Sequence, residues 1–423
     1  MSRPLLTRAD ALDLDDTDPL AHYRRQFLLP ERPDGQPWVY LAGNSLGLQP
    51  RNTRAFVEAE LRDWARLGVK GHFHAEHPWM PYHENVTAQT ARLVGARPIE
   101  VVVMNTLTVN LHLMLASFYR PTRQRHRILM EGGAFPSDQY ALASQARWHG
   151  LDPANTVVEL TPRPEEASLR TEDILSRIEA EGERLALVLL GSVNYLTGQA
   201  FDIPAITRAG HRVGAVVGFD LAHGAGNLPV ALHDAGPDFA VWCSYKYLNA
   251  GPGSLSGCFV HERHAHRPDL PRLAGWWGHD KATRFSMPHD FVPISGAEGW
   301  QLSNPPILQL AALRASMDLF DAAGMAALRH KSEALTGLLE RLLEDTPRDR
   351  IEIITPRAPA DRGAQLSLRV HRDARGLLDR LGAEGIVCDF REPNIIRAAP
   401  VPLYNTFTDV FRFAEALRHH VIA

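Results

Sequence analysis

"VGAVVGFDLAHGAGNLPVALHDAGPDFAVWCSYKYLNAGPG", residues 213–253, contains two apolar runs that each lead into a chemically loaded side chain. The first, "VGAVVGFD", stops at Asp220, and the second, "FAVWCS", is followed by Lys246 between Tyr245 and Tyr247. Both runs have the length and residue types of buried strands, and glycine and proline punctuate the stretch between them. Upstream, "VVVMN", "RILMEG", "NTVVEL" and "LALVLLGSV" repeat the pattern, alternating with helix-like stretches. Such alternation predicts an α/β fold, a mostly parallel sheet with helices on both faces.

The chain has 423 residues, more than one growing core holds, so a second unit is expected. Residues 1–50 read as an irregular N-terminal segment, 51–303 as the large unit and 304–423 as a small α+β unit completed by the N-terminal segment. In that last part the apolar spacing predicts two helices broken near Gly324. The short strands "IEIIT", "LSLRV", "GIVCDF" and "NIIRAAP" follow, with helical "RGLLDRLGAEG" between the second and third and "DVFRFAEALRHHV" at the end.

With 45% apolar and 22% charged residues and a formal net charge of -4, the composition is that of a soluble globular protein. It offers no field that would gather nucleic acid or a membrane surface, and neither partner is expected. The three cysteines, Cys243, Cys258 and Cys388, are too few and too scattered for a disulfide or metal framework, which suits reduced thiols in the cytoplasm. No secretory signal or membrane-length apolar run is read. The histidines of "GHFHAEHPW" have neither an HExxH pattern nor a cysteine pair beside them, so no metal is expected. Neither GxGxxG after an early strand nor GxxxxGK[ST] occurs.

In an open α/β sheet the ligand crevice lies outside the carboxyl ends of the strands. Four sets of residues fall there. Asp220 ends one strand, with His223 just after it; alone, such a carboxylate reads equally as a loop or cap group. Lys246 has aromatic neighbours that would desolvate its ammonium and favour the nucleophilic amine, although most lysines are surface charges. "MNTLTVNLHLMLASFY" places a helix start at Thr106 to Thr108 after a strand, which suits a phosphate or a simple threonine cap. "ILMEGGAFPSDQY" puts Phe135 and Asp138 after another strand, the phenylalanine as packing or as a stacking face. Together the four sets match pyridoxal phosphate: an amine for a Schiff base, a carboxylate for the ring nitrogen, an aromatic face and a phosphate site.

With these stretches, "YLAGNSLGLQP", "FPSDQYA", "GWWGHD", "SNPPILQL" and "APVPLYNTF", the chain resembles the kynureninase family over nearly its whole length. The resemblance implies a fold-type-I pyridoxal-phosphate enzyme that hydrolyses L-kynurenine, or its 3-hydroxy form, to the anthranilate and L-alanine, in tryptophan degradation. It implies Lys246 as the Schiff-base lysine, Asp220 as partner of the ring nitrogen and Phe135 as the stacking ring. It also implies Leu107 (through its backbone), Thr108, Asp138, His223 and Tyr245 around the cofactor, with Tyr245 a proton donor or relay. Trp276 and Asn304 would complete the site from the second subunit of a homodimer. Arg397 would take the substrate carboxylate with help from Asn44, and His72, Ser303 and Asn304 would face the substrate ring. Where the family has a serine, this chain has Gly191 with Ser192 beside it. Desulfuration and transamination are the neighbouring chemistries that would share the fold and lysine; desulfuration needs a mobile cysteine, whereas Cys243 and Cys258 sit in or beside apolar runs. A catalytically silent scaffold would have no use for Lys246, Asp220 and Arg397 together.

Overall fold

The structure, a computed structural model, describes residues 6–422. Its centre is a seven-stranded sheet of β1 (Val101–Met104), β2 (Arg127–Glu131), β3 (Val157–Leu160), β4 (Leu185–Gly191), β5 (Val216–Asp220), β6 (Phe239–Cys243) and β7 (Ser256–Val260). The order across the sheet is β1-β7-β6-β5-β4-β2-β3. β7 runs antiparallel to both its neighbours, and every other pair is parallel. The six predicted runs are therefore strands. β7, "SGCFV", is the strand that the alternation did not separate from the glycine-rich loop before it.

Successive residues of each strand serve opposite faces of the sheet. Val101, Val103, Leu129, Val217, Phe219 and Trp242 belong to one core, and Val102, Met104, Ile128, Met130, Phe239 and Val241 to the other. Because both faces are buried, the strands read as continuous apolar runs without polar alternation. Helices α1 (Leu107–Phe118) and α2 (Pro136–Trp148) cover the second face. Helices α3 (Thr171–Glu181), α4 (Ile203–Arg212) and α5 (Ile307–Ala323) cover the first.

A separate core forms around a four-stranded antiparallel sheet of β8 (Ile351–Ile353), β9 (Leu366–Val370), β10 (Asp389–Arg391) and β11 (Ile395–Ala398), in the order β8-β9-β11-β10. Ala11, Val39 and Leu41 of the N-terminal segment are buried in it, and Val39–Tyr40 pairs in parallel with Ile386–Val387. The helix break near Gly324 is present, between α5 and α6 (Met325–Leu343). Packing places the two helices differently from a boundary at 304. Leu310, Leu313, Met317 and Phe320 of α5 lie in the large core, whereas Leu335, Leu338, Leu339 and Leu342 of α6 lie in the small one. Among the described residues no helix is long and apolar enough to cross a membrane.

Candidate active site

β1, β2, β4, β5 and β6 run in one direction, so the residues after them collect at a single edge of the sheet. A cleft there is lined by Leu107 and Thr108 from the start of α1, Glu131 ending β2 with Phe135 and Asp138 after it, Tyr195 after β4, Asp220 ending β5 with His223 after it, and Tyr245 and Lys246 after β6. The structure thus brings together eight of the residues that the sequence and the resemblance singled out. Lys246 Nζ lies 3.1 Å from His223 Nε2, 5.7 Å from the Phe135 ring centre and 5.9 Å from that of Tyr245. The N-terminal turn locks this loop. Gly47 N–H donates to the Tyr245 carbonyl at 2.8 Å, and a Cβ at Gly47 would lie 2.3 Å from the Lys246 carbonyl oxygen. Only glycine permits that approach.

Electrostatically the cleft is an acid-rich pocket around one amine. Asp220 is buried, accepts the Ala222 N–H at 2.6 Å, and has its pKa raised by burial against the lowering pull of Lys246. Asp138 is pushed up further, first by burial and then by the charges of Asp220 and Glu131, so of the pair Asp138 holds a proton more readily. Burial, then Lys246, Arg397 and Arg391, push His223 well below the usual imidazole range. A neutral ring can accept from the Lys246 amine. Burial raises the Tyr245 phenol, which keeps its proton available for donation.

The residues present fit pyridoxal phosphate on the geometry itself. Thr106 precedes α1 without capping it through its side chain, so the competing account of a threonine cap does not hold and the first amides of the helix are free for an anion. Asn105 takes the left-handed conformation between β1 and α1, which turns the chain into that helix start. Asp138 Oδ1 and His223 Nδ1 are buried without partners in this cleft, as expected of groups that await a polar ligand, whereas Ser192 lines a separate pocket with Ala200 and Phe201. Phe135 is 41% exposed, with the Tyr195 ring edge-on to it at 5.3 Å.

Arg397 and Asn44 sit beside this cleft rather than in its lining. Arg397 is buried on β11, donates to the Tyr195 carbonyl at 2.6 Å and pairs with Asp389 at 2.6 Å. Asn44 donates to Gln365 Oε1 at 2.8 Å, and its own oxygen has no partner. Trp276, His72, Ser303 and Asn304 do not reach Lys246 within the chain. Trp276 Nε1 donates to the Arg284 carbonyl at 3.2 Å, His72 packs edge-on to Trp79 at 5.5 Å, and Ser303 and Asn304 line a groove with Asn105 and Thr106.

Against known proteins, a profile of the kynureninase C-terminal domain matches residues 328–417. Kynureninase from Myxococcus xanthus is 67% identical over 97% of this chain and 96% of its own length. Kynureninase from Koribacter versatilis is 61% identical over 96% of both. The chain belongs to the kynureninase family. Among solved structures, a C-DES variant with glycine covalently linked to its PLP cofactor superposes with a TM-score of 0.77 at 18% identity, covering 93% of this chain and 98% of that one. The cysteine desulfurase CsdA of Escherichia coli gives 0.77 at 20% identity, over 95% and 98%. At such identities the likeness is one of fold, the mixed sheet with its C-terminal unit.

The sequence reading missed Glu131 and Asp389. Glu131 is buried at the end of β2, where its Oε2 accepts the Gly191 N–H at 2.8 Å, and burial, then that hydrogen bond's smaller opposing effect, leave its pKa raised to about 7. A Cβ at Gly191 would lie 3.0 Å from Glu131 Oε1, so glycine at this position leaves room for the carboxyl. The available signal was an acid ending an apolar strand just before two glycines. Asp389 carries no such signal, since its partner is set by strand register.

Proposed function

We propose that this chain is a pyridoxal-phosphate-dependent hydrolase that cleaves the Cβ–Cγ bond of L-kynurenine, giving anthranilate and L-alanine. The observation that carries this reading is the meeting of Lys246, Asp220, His223 and the uncapped start of α1 at one sheet edge, in a chain 67% identical to a kynureninase. When bound, the cofactor supplies an electron sink for the pairs released at the substrate Cα and from the Cβ–Cγ bond.

Lys246 would carry the cofactor and, once displaced by the substrate amine, take the Cα proton at Nζ. Asp220 would hold its charge against the ring nitrogen, Phe135 would cover the ring, and Thr108 with the Leu107 backbone would bind the phosphate. Asp138 and His223 would satisfy the remaining polar groups. Arg397, helped by Asn44, would fix the substrate carboxylate. Tyr245, which lines the cleft, would donate or relay a proton to Cβ once water has added to the γ-carbonyl and the Cβ–Cγ bond has broken.

The same reading makes the active form a homodimer. Trp276 is 39% exposed and meets Phe285 at 5.5 Å, and Phe285 meets Phe73 at 6.4 Å, an exposed aromatic cluster of the kind that marks an interface. Trp276 and Asn304 would then complete a neighbour's cofactor site, and His72, Ser303 and Asn304 would read its substrate ring, the kynurenine or 3-hydroxykynurenine form. A cytoplasmic place in tryptophan degradation belongs to this reading, supported by three free cysteines. Burial pushes the Cys243 and Cys258 thiols up and Cys388 to about 12, so none offers the thiolate that desulfuration needs.

Incubation with L-kynurenine should release fluorescent anthranilate and equimolar alanine. Release of sulfide from cysteine without turnover of kynurenine would overturn the proposal.

A further inference from the structure

Arg397 and Asp389 face each other directly across the β10–β11 ladder. Asp389 Oδ1 accepts from Arg397 Nε at 3.3 Å and Oδ2 from Nη2 at 2.6 Å. Two residues along β10 the next side chain on the same face is Arg391, whose Nη2 donates to the same Oδ2 at 3.1 Å. Among the described residues Asp389 is thus the single carboxylate that the structure pairs with either guanidinium. Two cations share one anion, which leaves one positive charge. Among the described residues the buried Arg391 Nε has no acceptor, and Arg397, with the Tyr195 carbonyl besides Asp389, retains an unpaired N–H on each Nη. The buried Arg397 guanidinium lies 6.0 Å from the ring centre of Tyr195, which lines the Lys246 cleft, and Arg391 stands behind it, partly exposed.

We propose that Arg391 and Asp389 are positioning residues for the amino-acid end of the substrate, forming with Arg397 a cluster whose one unneutralised charge the substrate carboxylate completes. The proposal rests on the reading of Arg397 given above and extends it. Asp389 holds the Arg397 fork by a bidentate contact, which fixes the plane in which a second carboxylate must dock. Arg391 balances Asp389, so that Arg397 keeps an attractive charge for the ligand. Without Arg391, Arg397 and Asp389 form a neutral pair with little attraction left for an incoming carboxylate.

Charge-balance variants of the holoenzyme test this. Arg391→Gln should raise KM for L-kynurenine about tenfold with kcat within about threefold, one screened charge interaction. Arg391→Lys should stay within about threefold of the unaltered enzyme. The double variant Asp389→Asn with Arg391→Gln, which restores one surplus charge, should bring KM back below that of Arg391→Gln alone. As inhibitors, L-alanine should lose affinity in Arg391→Gln and L-alaninamide should not, and the melting temperature should be unchanged. Unchanged KM in Arg391→Gln, a double variant no better than the single, or equal losses for alanine and its amide would overturn the proposal. An unchanged KM in Arg397→Gln would instead refute the role given to Arg397, and absence of anthranilate with the unaltered enzyme would refute the reaction.

Discussion

Asp220 sits at the end of β5, buried, with its carboxylate held by one backbone N–H and faced by Lys246. Its burial makes the charge costly unless a cationic partner completes it. Asp220→Ala should therefore lower kcat of cofactor-saturated enzyme by about two to four orders of magnitude, the equivalent of roughly 3 to 5 kcal/mol. Steady-state turnover checks this, and near-normal turnover would exclude the ring-nitrogen role. Glu131 makes a different prediction. Its pKa is raised to about 7 from 4.5, so the folded apoprotein binds a proton that the unfolded chain has already lost between those values. Stability should fall as pH rises through that window, and the penalty stays above it, up to about 3 kcal/mol. Glu131→Gln keeps an oxygen for Gly191 N–H and removes the charge. Its melting temperature should match the unaltered apoprotein at pH 4.5 and exceed it at pH 8.

At the scale of elements, one buried carboxylate staples the loop before β6 to its surroundings. Asp238 accepts from His211 at the end of α4 at 2.9 Å, from His264 at 2.9 Å, from Arg263 at 3.1 Å and from the Val217 N–H in β5 at 2.8 Å. Despite burial, these donors hold its carboxyl well below the usual range. The lowered folded pKa means that the stabilisation is complete above the unfolded carboxylate value near 3.8 and is lost as pH falls below it. Asp238→Asn should cost about 2 to 4 kcal/mol at neutral pH, measured by denaturant unfolding. The loss should shrink below pH 3.8. Because Asp238 fixes the entry into the strand that delivers Lys246, activity should fall with stability and recover on cooling.

For the whole molecule, the distribution of expected site residues makes its own prediction. Lys246, Asp220 and Phe135 share one cleft, whereas Trp276, His72, Ser303 and Asn304 lie elsewhere on the chain. If two copies share sites, mixing Lys246→Ala protein with Asn304→Ala protein should regain activity, up to about a quarter of the unaltered level when hybrids form half of the dimers. Size-exclusion chromatography establishes the dimer, and hybrids without activity would refute the shared site.

What the residues alone determined was local. Continuous apolar runs ending in Asp220 and leading to Lys246 specify strands buried on both faces, and the shared direction of the parallel strands then brings the residues that follow them to one edge. His223 followed from its place three residues after Asp220, and Phe135 and Asp138 from theirs after β2. The tertiary structure decided the pairings that depend on register and on which core claims an element. Asp389 meets Arg397 because β10 and β11 align antiparallel with those residues opposite. Glu131 meets Gly191 because β2 and β4 are neighbours although 60 residues separate the two. α5 joined the large core through one apolar face, a choice that helical spacing leaves open because an amphipathic stripe specifies burial but not the partner. Periodicity records how much of a side chain leaves water; only the fold records what it meets there.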